Sequence, residues 1–125
     1  MVIFRWRPLT PEFSVMDFDF SKPPGDLLSN LLCPRSGPEA GTWADTVGMS
    51  STGTCHAVVM WLEYDLCDGV PPVSCGPGGV GMHHHRQMVW FLEGEAQCRA
   101  GESRLSVAAG FEEEGCELSV RFQVS

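Results

Sequence analysis

Gly53-Thr54-Cys55-His56-Ala57-Val58-Val59-Met60-Trp61-Leu62-Glu63-Tyr64-Asp65-Leu66 is an almost unbroken apolar run. In an extended chain successive side chains point to opposite faces. Val58, Met60, Leu62 and Leu66 then share one face, and Ala57, Val59 and Trp61 share the other. A strand apolar on both sides is expected at the centre of a fold, covered twice. A buried helix is the rival reading, and the β-branched and aromatic content favours strand. A second run answers the first: His83-His84-His85-Arg86-Gln87-Met88-Val89-Trp90-Phe91-Leu92. Its strand is expected from Arg86 to Leu92, so basic groups would stand at the mouth of a buried sheet.

Working outward, most of the remaining pattern also has period two. Phe13 to Phe20 alternates, with Met16, Phe18 and Phe20 on one face and Asp17 and Asp19 on the other. Lys22-Pro23-Pro24-Gly25 ends it, because proline donates no ladder hydrogen bond. Leu27 to Leu32 fits a short strand or a helical turn. Trp43 to Ser50 predicts a strand, Ser51-Thr52-Gly53 a turn, and Cys67 to Gly81 a loop rich in Gly and Pro. Glu93-Gly94-Glu95 reads as a turn. Leu105, Val107, Ala109 and Phe111 share a face in the next strand, and Glu112 to Gly115 forms an acidic turn. In the last strand Leu118, Val120, Phe122 and Val124 face inward. Five or six strands and no amphipathic helix predict an all-β fold, an antiparallel barrel or sandwich. A chain of 125 residues supports one such domain, residues 1–125.

Sixteen acids against eight Lys and Arg give a net charge of −8. That disfavours binding nucleic acid by phosphate neutralisation. It suits cationic ligands such as Arg- or Lys-rich peptides, or serves solubility alone. The six cysteines include no Cys-x-x-Cys pair, and Arg5 and Arg7 interrupt any signal-peptide core after Val2-Ile3-Phe4. Reduced, mostly buried thiols in a cytoplasmic or nuclear protein are expected. No run reaches the roughly 18 apolar residues of a membrane helix.

The histidine run is the sharpest chemical feature. On one strand only His83 and His85 converge, so a metal site needs further ligands from elsewhere, with His56, Cys67, Cys75 and Glu93 as candidates. A cupin-like metal protein is one alternative, since His83-x-His85 precedes a strand and Leu92-Glu93-Gly94-Glu95. That motif wants a glutamate near position 89 or 90 and a later histidine. Here Val89 and Trp90 occupy those places, and no histidine follows His85. No G-x-S-x-G elbow and no phosphate loop opening a helix occurs, so no nucleotide or S-adenosylmethionine site is encoded in this stretch.

The ordered segments resemble the C-terminal β-barrel of protein arginine N-methyltransferases. The likeness is nearest to the second module of the tandem-module, monomethylating (type III) branch. Leu9 to Pro24 is similar to the strand that opens the barrel and its proline stop. Cys55 to Leu66 resembles the apolar barrel strand ending in an aromatic and acidic pair. Val73-Ser74-Cys75-Gly76-Pro77 is similar to the short Ser/Gly/Pro segment after it. His84-His85-Arg86-Gln87-Met88-Val89-Trp90-Phe91-Leu92 resembles the loop and strand that the family writes T-H-W-K-Q-x-V-F-Y. Leu105 to Phe111 and Leu118 to Phe122 match the closing hairpin.

The resemblance implies that a separate Rossmann-like domain binds S-adenosylmethionine and carries a double-glutamate loop for the substrate guanidinium. No cofactor is expected on this chain itself, and that missing catalytic domain or module would be its partner. The barrel would form the other wall of the groove, for Arg-rich protein substrates. His84 matches the loop histidine as candidate pocket residue. His83, His85, Arg86 and Gln87 would line the substrate groove. His83 replaces the family's threonine and His85 its tryptophan, and the favoured branch lacks that tryptophan too. In that branch the second module is degenerate in its cofactor site. The expectation is a substrate-side or dimer-side barrel portion, a fragment inactive alone. A non-enzymatic β-barrel interaction module is the remaining alternative.

Overall fold

The structure is a computed structural model that describes residues 6–21, 31–32, 42–77, 86–112 and 117–125. Nine β-strands are seen and no helix among these residues. They are β1 (Asp17–Phe18), β2 (Leu31–Leu32), β3 (Thr42–Gly48), β4 (Gly53–Met60), β5 (Glu63–Tyr64), β6 (Val73–Ser74), β7 (Met88–Cys98), β8 (Arg104–Glu112) and β9 (Glu117–Val124). The fold is all-β and antiparallel: one three-stranded sheet, β3-β8-β9, and the pairs β1-β2, β4-β7 and β5-β6. None of these sheets closes into a barrel among the described residues. No described helix is long and apolar enough to cross a membrane. Contacts gather into two compact units, Met1–Thr54 with Ala96–Ser125, and Cys55–Glu95.

The first unit holds the best-buried side chains. The register sets Trp43 opposite Ala109 and Val47 opposite Leu105 across β3-β8. Across β8-β9 it sets Leu105 opposite Val124, Val107 opposite Phe122 and Ala109 opposite Val120. Directly paired residues share a face, so these side chains form one apolar layer. Trp43, Leu105, Val107, Ala109 and Val120 are all buried in it. Each large side chain fully removed from water stabilises the fold by roughly 1.5–3 kcal/mol. The expected inward face of β8 and β9 is thus present, although Leu118 at its end is half exposed.

Turn chemistry fixes the rim of this unit. Gly101, at φ 77°, sits where a side chain would be strained. Around it Ser103 N donates to Arg99 O (2.9 Å), and Arg99 N donates to Ser103 Oγ (3.0 Å). Gly101 N donates to Met49 O (2.9 Å), tying this turn to the end of β3. Leu9 O receives Ser50 N (2.8 Å) and Ser51 N (3.2 Å), and Arg7 donates to Thr52 O (2.5 Å).

Three expectations are corrected. The strand expected over Phe13 to Phe20 is only Asp17–Phe18, and Phe20 is largely exposed, its ring stacked on Phe18 at 6.0 Å. Glu93-Gly94-Glu95 is not a turn: it lies inside β7, where Gly94 keeps a negative φ and alternation continues from Leu92 to Ala96. The run from Thr54 to Leu66 is two strands, and it is not covered on both faces. β4 pairs only with β7 among the described strands, and its side chains are mostly half-buried. The proline stop after Phe20, Leu27 to Asn30 of the segment Leu27 to Leu32, residues 33–41, the end of the Cys67 to Gly81 loop from residue 78, and the acidic turn after Glu112 lie outside the described residues.

Candidate functional site

The features singled out in the sequence converge on residues 55–95, so the site is built from that unit alone. Within it β4 runs out at Met60 and the chain turns sharply at Trp61-Leu62. Two contacts fix the turn. Leu62 N donates to Cys75 Sγ (3.3 Å), and Cys75 N donates to Leu62 O (3.1 Å). The Trp61 indole lies directly over Gly76, close enough that a Cβ built there would fall 2.7 Å from two of its ring carbons. Between these anchors β5 and β6 form a short hairpin, Glu63 opposite Ser74 and Tyr64 opposite Val73. The hairpin loop turns at Gly69, φ 80°, where the left-handed backbone favours glycine.

Gln87 closes the arrangement. Its Nε2 donates to Cys75 O at 3.1 Å, so the segment entering β7 is tied to the same residue that holds Leu62. Cys75 therefore organises three segments through its backbone and its sulfur. Of the expected groove residues, Gln87 is half-buried and engaged in this tether, and Arg86 is exposed beside it. His83, His84 and His85 lie outside the described residues.

Further along the ladder His56 and Glu95 meet at 3.4 Å, both about two-thirds exposed. An exposed pair of this kind contributes at most about 1 kcal/mol. Glu63, Asp65, Asp68 and Glu93 are all exposed. Asp65 and Asp68 border a small open cavity of about 370 Å³ with Leu66 and Val70. Among the described residues no three His, Cys, Asp or Glu side chains gather as metal ligands. Cys67 is an exposed thiol, Cys75 is half-buried, and Cys55 and Cys98 are buried.

Apolar exposure is this unit's other property. Met88, Val89, Trp90 and Phe91 are consecutive, so they occupy both faces of β7, and they are 57, 47, 44 and 73% exposed. Leu62 (56%), Leu66 (69%) and Val70 (51%) add to the surface. Single exposed apolar residues are ordinary, whereas a strand bare on both faces marks a surface made to be covered.

The sequence singles out Gln87, for the groove, but not its bond to Cys75 O, nor the Cys75–Leu62 and Gly76–Trp61 contacts. Gly76-Pro77 was legible only as loop. The signal was a glycine 15 positions from a tryptophan at a strand end, which has no period to detect it.

No sequence model of a known family matches the chain, and no solved structure matches it. The chain is similar to protein arginine N-methyltransferase 7 of Danio rerio, 28% identical over 128 aligned residues. The alignment covers 95% of this chain and 17% of that protein, so the chain spans about a sixth of its relative's length. Over nearly its whole length, the chain is thus similar to one part of a protein arginine N-methyltransferase.

Proposed function

We propose that this chain is the β-barrel portion of an S-adenosylmethionine-dependent protein arginine N-methyltransferase, the wall facing the substrate or the dimer partner. The observation that carries the reading is the similarity to the Danio rerio enzyme along 95% of the chain. Placement in the second module of a tandem, monomethylating enzyme is the finer form of the proposal. In it, a Rossmann-like domain elsewhere in the protein binds S-adenosylmethionine and holds the guanidinium of Arg-rich substrates between carboxylates. Such transfer needs a positioned, desolvated guanidinium, and a rigid sheet supplies one wall of the groove. His84 is the candidate pocket histidine. His83, His85, Arg86 and Gln87 are candidate groove residues, and Gln87 Nε2 also donates to Cys75 O. The working compartment is the cytoplasm, the nucleus or both.

The bare apolar faces of β7 support a covering partner, which in this reading is the catalytic domain. The purified chain alone should transfer no methyl group to an Arg-rich peptide, and transfer by it would overturn the fragment reading. The decisive test is the size of the natural polypeptide, by immunoblot of source cells against an antigen spanning residues 42–125. A band several times larger than 13.7 kDa is expected, and a band at that mass would refute the proposal.

A further inference from the structure

The sheet β3-β8-β9 has a second face, opposite the apolar layer. There Ala44, Thr46, Arg104, Ser106, Ala108, Arg121 and Gln123 alternate with the buried residues, and the face borders an open cavity of about 790 Å³. The register places Thr46, Ser106 and Gln123 in one row across the three strands. Thr46 Oγ1 and Ser106 Oγ are 3.5 Å apart. Arg104 stands on one side of this row. On the other side stands Arg121, opposite Ala108. The row therefore offers two hydroxyls and an amide, with Arg104 in the neighbouring row on one side and Arg121, beside Ala44 and Ala108, in the neighbouring row on the other.

The charges sharpen the point. In a chain of net charge −8, neither Arg104 nor Arg121 has an ion-pair partner among the described residues, whereas Arg99 pairs with Glu102 at 3.5 Å. Asp45 also borders the cavity. Its Cβ belongs to the opposite face, opposite Val107, and its Oδ1 accepts the Thr46 amide at 2.7 Å. The acids of this face, Glu112 and Glu117, pair with each other at the sheet's far end. Glu117 is four residues from Arg121, about 13 Å along an extended strand.

We propose that this face binds an oxyanion of a small organic ligand, with Arg104 and Arg121 clamping it and Thr46, Ser106 and Gln123 bonding its oxygens. Guanidinium groups suit phosphate and carboxylate oxygens alike. The site uses no residue of the histidine run and is independent of the methyltransferase reading.

The test is titration of the whole 125-residue chain at fixed ionic strength, followed by amide chemical shifts. Inorganic pyrophosphate is one probe and tricarballylate the other, so the two arms separate phosphate from carboxylate preference. Saturable shifts centred on Thr46, Ser106 and Gln123 are expected with at least one probe at millimolar concentration. Arg104→Gln and Arg121→Gln should each weaken binding about tenfold, the size of one charged hydrogen bond. Arg99→Gln, outside the face, should leave it unchanged. No saturable response to either probe, or equal weakening by Arg99→Gln, would overturn the proposal.

Discussion

Replacing Gly76 by alanine tests the packing that shapes the turn after β4. The added methyl would meet Trp61 at its indole nitrogen and, at 2.7 Å, at Cδ1 and Cε2. Carbon atoms in contact prefer about 3.5–4.0 Å, so the ring must retreat by about 1 Å. Retreat opens the contact over Cys75-Gly76 and strains the Leu62–Cys75 bonds beside it. Overpacking of this kind costs about 1–3 kcal/mol. For a chain of this size each kcal/mol moves the melting point by about 4 °C, so Gly76→Ala should melt roughly 4–12 °C lower. The informative measurement is a double-mutant cycle with Trp61→Ala, read by denaturant unfolding. With the indole gone, the alanine at position 76 meets nothing bulky, and its cost should fall close to zero. The coupling energy is then nearly the whole single-mutant effect. If the two substitutions add within about 0.5 kcal/mol, the indole does not constrain Gly76 and the reasoning fails.

The remaining predictions concern other layers of the structure. Leu105→Ala, at a site only 3% exposed in the β3-β8-β9 layer, should cost about 2–5 kcal/mol in chemical denaturation, and a loss below 1 kcal/mol would contradict its burial. Gln87→Ala removes the donor to Cys75 O and should cost about 1 kcal/mol, with faster amide exchange at Leu62 and Cys75 as its local signature. Phe91→Ser with Leu66→Ser should reduce self-association of the isolated chain in sedimentation velocity without lowering its melting point, since both side chains are about 70% exposed. His56→Ala should change stability by no more than about 1 kcal/mol, because its contact with Glu95 is solvent-exposed.

Alternation carried most of the fold. In β8 and β9 the period-two pattern is strict, and every expected inward residue from Leu105 to Ala109 is buried. One face is solvated there, so hydrophobicity itself reports orientation. The pattern misled where both alternate sets are apolar. From Thr54 to Leu66 no contrast marks where the strand should break, and the break at Trp61 depends on Gly76 and Cys75. Glu93-Gly94-Glu95 misled for the opposite reason: polar residues with a glycine suggest a turn, yet the backbone stays extended within β7. The turn that follows is instead built at Gly101, where Arg99 and Ser103 bond across it. Of the candidate site, Gln87 and Arg86 were legible as neighbours of the strand. The tether from Gln87 to Cys75 was not, because it joins positions 12 apart through a backbone carbonyl that any residue would offer.

The two-sided apolar pattern of β4 and β7 contains a further argument. A sequence apolar on both alternate faces predicts a strand covered twice, and Met88 to Phe91 are instead bare on both. The pattern and the exposure agree if the covering layers are contributed from outside residues 55–95. Apolar side chains on this scale represent several times the 1.5–3 kcal/mol gained by burying one of them, so leaving them wet is costly to an isolated chain. The similarity to one-sixth of a larger methyltransferase, and a strand patterned for burial that is not buried within its own unit, are independent observations. Both are what the proposal of a partner surface covering β7 would require.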